Sequence, residues 1–296
     1  MMNFDRIEIA EEIPKNIYLT HSETELPSPL LDNIKLMRER NPDWKCVLFN
    51  DAQQYEYIRS RSPYLLDCYK TIDAQYGPAR ADFFRYIIMY YEGGCYLDIK
   101  SNTSTPLSQV LQPQDKFILC YWDEVEFPSW GRLHKELRNP IGEFQQWNIF
   151  TVKGHPFLAA VIDAVADNIM NYNPYLHGVG KKGVVKLTGP IVYSNTIYPL
   201  IHKFPCTIYP SEKAMGLIYS VFKQSHHLQF KRHYTTLLCP VVKQGAINTF
   251  CVVLFYKMVN ALRWLGDGIM KVKPCIRAIT PTVILNWYHA ARHSTR

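Results

Sequence analysis

The chain has 296 residues, 47% of them hydrophobic and 14% aromatic, which is ample for a core and amounts to one or two domains. Its formal charge of +7, from 33 basic and 26 acidic residues, favours anionic partners such as nucleotide diphosphates or acidic lipid surfaces. No run of Lys and Arg alternates with aromatic residues in the manner of a nucleic-acid groove, so that partner class is excluded. The eight cysteines form neither a C-x-x-C pair nor a Cys/His zinc spacing. Several, such as Cys46, Cys95 and Cys120, fall inside expected strands, where a thiol behaves as a small apolar group. Reduced thiols in a cytosolic setting are the expectation. Met1 to Glu12 is charged and lacks the apolar centre of a secretory signal.

Taken in order, the pattern predicts a strand at Asn16–Leu19, a helix at Ser28–Arg40 and a strand at Lys45–Phe49. One or two helices follow between Asp51 and Gln75. The run from Gly77 to Ser104, GPARADFFRYIIMYYEGGCYLDIKSNTS, divides into a helix, a two-glycine turn and a short apolar strand ending at Asp98. Pro78 suits a first helical turn, and Phe83, Phe84, Ile87, Ile88 and Tyr91 recur at helical spacing as one face to bury. Asp82 and Arg85, three residues apart, share another face. Gly93-Gly94 stops the helix, and Cys95-Tyr96-Leu97 reads as a buried strand. An acidic residue just past such a strand lies where open α/β sheets bind ligands.

Further strands are expected at Phe117–Trp122 and Trp147–Val152, separated by a loop rich in Trp, Pro and Gly. A helix opened by His155-Pro156 carries the apolar stripe Phe157, Val161, Ile162, Val165 and Ile169. Asn173 to Lys186 reads as a Gly- and Lys-rich loop of the kind that covers a ligand. Strands alternating with helices imply an α/β fold, a mainly parallel sheet with helices on both faces. In the tail, Ile247, Phe250, Cys251, Leu254, Phe255, Met258, Leu262 and Leu265 fall at helical spacing. No uncharged run there approaches the roughly 20 residues that cross a bilayer. Residues 246–296 therefore form either a helix docked on a catalytic domain of residues 1–245 or an interfacial helix touching a membrane. The second reading is supported by Trp264, Lys271, Lys273, Arg277, Trp287 and Arg292.

Ala81-Asp82-Phe83-Phe84-Arg85-Tyr86 and Gly93-Gly94-Cys95-Tyr96-Leu97-Asp98 resemble, in order and spacing, the core of a glycosyltransferase family. That family includes yeast initiating mannosyltransferases and bacterial capsule sugar transferases, and is more distantly similar to the glucosylating clostridial toxins. Its pattern is an Asp and an Arg in a helix, then GG-x-YLD-x-D, whose last three residues are the DXD motif. Ile13 to Tyr18, Asn41 to Trp44 with Phe49 to Asp51, Trp147 to Phe150, Gly154 to Leu158 and Leu187 to Pro190 extend the likeness over residues 13 to 195. The resemblance implies a GT-A nucleotide-diphospho-sugar transferase fold, a UDP- or GDP-linked sugar donor, a glycan or glycolipid acceptor, and retention of anomeric configuration. The yeast relatives carry an N-terminal membrane helix that this chain lacks, so a bacterial or viral transferase of the cytoplasm, peripheral to a membrane at most, is expected.

Breaking the bond between the anomeric carbon and a diphosphate leaves an added negative charge on the leaving group, which a divalent cation or positive side chains must absorb. Asp98 offers a hard oxygen ligand for Mn²⁺ or Mg²⁺. By resemblance, Asp82 and Arg85 hold the donor sugar. Tyr18, Thr20 and His21, at the end of the first strand, meet the nucleotide; Gly189 shapes backbone near the donor; Asn148 contacts sugar or acceptor. His233, among the histidines of QSHHLQFKRHY, is a second metal or phosphate ligand. The chain departs from the pattern at the second Asp of the motif, which is Lys100. Three readings follow: Lys100 faces the diphosphate and takes over part of the metal's role, the metal persists with Lys100 pointing away, or catalysis is lost and a silent nucleotide-sugar or glycan-binding protein remains.

Overall fold

Local chemistry places the first elements where the sequence pattern puts them. The computed structural model describes residues 4–222 and 234–268. In the unit Met1–Gln244, β1 (Asn16–Thr20) leads to α1 (Ser28–Arg40), β2 (Lys45–Phe49), α2 (Asp51–Arg61) and α3 (Pro63–Thr71). Asn50 and Gln53 close the start of α2 reciprocally. The Asn50 side chain accepts from the Gln53 N–H at 2.9 Å, and the Gln53 side chain accepts from the Asn50 N–H at 3.0 Å. Next come α4 (Gly77–Glu92), β3 (Gly94–Leu97), β4 (Asn102–Thr103), α5 (Leu107–Val110), β5 (Phe117–Cys120) and β6 (Asn148–Thr151). The unit continues through α6 (Pro156–Met170), α7 (Pro174–His177), α8 (Gly180–Leu187), α9 (Pro190–Ile197), β7 (Thr207–Tyr209) and β8 (Leu217–Ile218).

Six strands form one sheet in the order β2-β1-β3-β6-β5-β7. Every strand in it is parallel except β6, which runs against both β3 and β5. Side-chain alternation divides the apolar residues between the two faces. Tyr18, Tyr96, Ile149, Phe117 and Leu119 pack with α4, α6 and α9, whereas Ile17, Leu19, Cys95, Leu97, Phe150 and Ile118 pack with Leu30, Ile34 and Met37 of α1. The expected mainly parallel α/β sheet, covered by helices on both faces, is therefore present. β4 and β8 make a separate antiparallel pair.

The Gly93-Gly94 turn has a steric cause. Both residues have positive φ, and a Cβ at either would lie 2.7 Å from backbone, Lys153 N for Gly93 and Asn16 O for Gly94. Three details differ from the sequence reading. Helix α4 buries every residue from Asp82 to Tyr91 instead of one stripe, because it lies under other helices as well as the sheet. Strands β5 and β6 stop short of Trp122, Trp147 and Val152. The expected loop at Asn173 to Lys186 contains α7 and most of α8. Gly183 hid that helix in the sequence, yet a Cβ there would meet Gly178 O at 2.6 Å, so glycine is required by packing.

The unit Gly245–Arg296 is described as far as Gly268 and consists there of one helix, α10 (Ala246–Gly268). Ile247, Phe250, Leu254 and Met258 form an exposed apolar stripe on it. No helix among the described residues is long and apolar enough to cross a membrane. Lys271, Lys273, Arg277, Trp287 and Arg292 lie outside the described residues.

Candidate active site

Asp98 follows the fully buried strand β3, and its N–H donates to the Trp147 carbonyl at 2.9 Å. The chain then turns at once, with the Ser101 N–H and hydroxyl both donating to the Asp98 carbonyl, at 2.8 and 2.6 Å. Buried Asn33 of α1 pins this turn from below, donating to the carbonyls of Ile99 and Ser101 at 2.9 Å each. The turn stands at the carboxyl end of parallel strands, where such sheets form their ligand crevice.

Arg85 joins the carboxylates. Its Nη2 lies 3.2 Å from Asp82 Oδ1 and 3.1 Å from Asp98 Oδ1, its Nη1 donates to the Gln146 carbonyl at 2.9 Å, and its guanidinium stacks 4.6 Å from the Tyr96 ring centroid. Asp82 also accepts from the Thr188 hydroxyl at 3.0 Å. The side chains of Asp82 and Arg85 are only 6% and 7% exposed, so the pair is internal; that of Asp98 is 25% exposed. Lys100 completes the group, its ammonium 3.9 Å from Asp98 Oδ2 and donating to the Tyr219 hydroxyl at 2.8 Å.

Burial pushes the Asp82 carboxyl up, to about 6, against the pull of Arg85 and Thr188. Arg85 is buried too, but Tyr96, Asp98 and Asp82 hold its guanidinium charged and move it upward. At neutral pH the pair is therefore ionised, a charge-assisted clamp inside the fold.

The other expected site residues divide. Thr20 is within reach, but its hydroxyl is bonded to the Tyr96 hydroxyl at 2.8 Å. His21 lies just beyond β1 at the surface, its ring bonded to the Glu23 backbone. Asn148 starts β6 opposite Leu97, donates to Gln145 at 2.8 Å, and leaves a buried amide oxygen without a partner among the described residues. Gly189 precedes α9 beside Thr188, where a Cβ would meet the Val185 backbone at 2.7 Å. Tyr18 is buried, 7% exposed and packed on Phe49, and it pairs in register with Tyr96 on the same face of the sheet. His233, with His226 and His227, lies outside the described residues. Gln146, Thr188, Tyr96 and Tyr219 were missed as site residues. Tyr96, inside the Gly93–Asp98 motif, and Thr188, inside the Leu187–Pro190 likeness, carried a sequence signal.

The implied Mn²⁺ or Mg²⁺ can be tested against these groups. One oxygen of Asp98 is paired with Arg85 and the other faces Lys100. Among the described residues no cluster of three or more His, Cys, Asp or Glu is placed to hold a metal ion. A single carboxylate flanked by two cations does not fit a divalent ion, which needs several oxygen ligands and net negative charge.

A second buried carboxylate stands on the segment leading to Gln146. Glu143 accepts from the Trp122 indole N–H at 2.8 Å, while its other oxygen lacks a hydrogen bond among the described residues. Burial raises its pKa to about 7, opposed by Trp122 and Lys181. The folded value exceeds the unfolded one of 4.5, so the stability this group confers is complete below the unfolded value and is lost as pH rises through 7. Relative to Glu143→Gln, the wild type should lose melting temperature between about pH 5 and pH 8. Parallel pH profiles for the two proteins would contradict the assignment.

Residues 27–118 match the family model described as "Glycosyltransferase sugar-binding region containing DXD motif". Inositol phosphoceramide mannosyltransferase 3 of Schizosaccharomyces pombe is 29% identical over 220 residues, 74% of this chain and 54% of that protein. The initiation-specific alpha-1,6-mannosyltransferase of Candida albicans is 25% identical over 213 residues, 64% of this chain and 53% of that protein. The chain thus spans about half the length of the curated relatives it matches. Among solved structures, PaToxG Glycosyltransferase aligns at 20% identity and a TM-score of 0.47, over 65% of this chain and 71% of that one. Residues 27–118 thus match the sugar-binding region of a DXD-containing glycosyltransferase family, and the chain is similar to mannosyltransferases over a longer stretch.

Proposed function

We propose that this protein transfers a hexose from a nucleotide-sugar donor to a glycan or glycolipid acceptor, with retention of configuration. The observation that carries the reading is the buried Asp82–Arg85 clamp joined to Asp98 at the carboxyl end of β3. Ionised Asp82 accepts hydrogen bonds from sugar hydroxyls, Arg85 fixes both carboxylates, and the cationic edge of the site meets the diphosphate. In the reaction the bond from the anomeric carbon to the diphosphate oxygen breaks, and its electron pair stays with the diphosphate. The acceptor hydroxyl oxygen bonds the anomeric carbon from the same face, and its proton passes to the leaving oxygen. Asp82 and Asp98 are both paired with Arg85, which supports direct attack by the acceptor over a covalent enzyme intermediate.

Relatives named for mannosyl transfer to inositol phosphoceramide support mannose as the sugar and a phosphorylated lipid as the acceptor. The exposed apolar stripe of α10 supports an acceptor presented in a membrane. The test is release of free nucleotide from a panel of GDP- and UDP-linked hexoses, GDP-mannose among them, with glycolipid in vesicles. Turnover with at least one donor is expected. Tight binding of a donor without turnover on any of them would instead establish a silent binding protein.

A further inference from the structure

Lys100 stands where the family pattern has a carboxylate, and the structure holds it in place. Its carbonyl accepts from the Val221 N–H at 3.0 Å, the carbonyls on either side of it accept from Asn33, and its ammonium is bonded to Tyr219 and lies 4.0 Å from that ring's centroid. The side chain is only 17% exposed, so it is a fixed part of the crevice wall and not a mobile surface lysine.

Charge balance shows what this does. With carboxylates at both motif positions, the group formed with Asp82 and Arg85 would carry three negative charges and one positive. A divalent cation would bring that sum to zero. With Lys100, Asp82 and Asp98 are already balanced by Arg85 and Lys100, both within 4 Å of Asp98. A divalent ion entering here would face the ammonium at close range and find no free oxygen on Asp98 turned away from a cation. The same ammonium, held by a hydroxyl and an aromatic face, keeps donors available for a phosphate oxygen.

We propose that Lys100, supported by Tyr219, replaces the divalent cation of the family motif, so that the nucleoside diphosphate is bound without metal. This deepens the donor-site reading above and rests on it. The test is calorimetric titration with UDP and with GDP, in EDTA and in Mn²⁺, together with electron paramagnetic resonance of Mn²⁺ added to protein and nucleotide. The wild type should bind its nucleotide with the same affinity in EDTA and in Mn²⁺, and should not broaden the Mn²⁺ signal. Lys100→Ala should weaken binding by about tenfold or more in both conditions, the loss expected for a hydrogen bond to a charged group. Lys100→Asp should bind nucleotide only with Mn²⁺ and take up the ion. A wild type that loses its nucleotide in EDTA, or a Lys100→Ala protein that binds as the wild type does, overturns the proposal. No binding of either nucleotide in any condition overturns the donor-site reading itself.

Discussion

Replacing Asp98 with Ala should reduce transfer by at least about 10²–10³-fold, the scale for removing one organised electrostatic group at a reacting centre. Among the described residues, the Asp98 carboxylate is the acidic group that holds both cations, Arg85 at 3.1 Å and Lys100 at 3.9 Å. The fold should survive, since the side chain is a quarter exposed and the turn is held by Ser101 and Asn33 through backbone atoms. Steady-state rates and thermal melts on the same preparation check both halves. Activity within a few-fold of wild type would remove Asp98 from the site, and a collapsed melt would make the loss uninformative about chemistry, in which case Asp98→Asn carries the test.

Arg85→Ala should do two things. It should cost about 3–5 kcal/mol of stability, because removing one member of a buried ion group leaves Asp82 and Asp98 without their shared cation. It should also impair use of the nucleotide sugar more than binding of the bare nucleotide. Asp82→Asn should show the second effect with less of the first, because the amide still accepts from Thr188 and no charge is left stranded. Denaturant titrations and paired affinities for nucleotide and nucleotide sugar measure these terms. Equal losses for both ligands would show that the pair does not meet the sugar.

Helix α1, strand β2 and the α4–β3 unit were legible because helix-starting prolines, glycines and apolar spacing agree there with the tertiary fold. Asp82, Arg85 and Asp98 were legible because they lie within one short stretch, at spacings that a helix and the following strand convert into proximity. The depth at which Asp82 and Arg85 lie was not. Helical spacing shows which residues share a face, but α6, with α2, α3 and α8, covers the other faces of α4. Tyr219 and Gln146 were out of reach for a different reason, and Thr188 was marked only by the Leu187–Pro190 likeness. Each reaches the crevice from a distant segment, and only the β4–β8 pairing and the α8–α9 junction bring Tyr219 and Thr188 to it.

The most direct test follows a radiolabelled hexose from its nucleotide donor into a glycolipid acceptor, with the wild type and Asp98→Ala side by side. Label in the glycolipid with the wild type, and none above background with Asp98→Ala, is the expected result. Equal transfer by both proteins, or none by the wild type across GDP- and UDP-linked donors, would contradict the assignment of glycosyl transfer to this crevice.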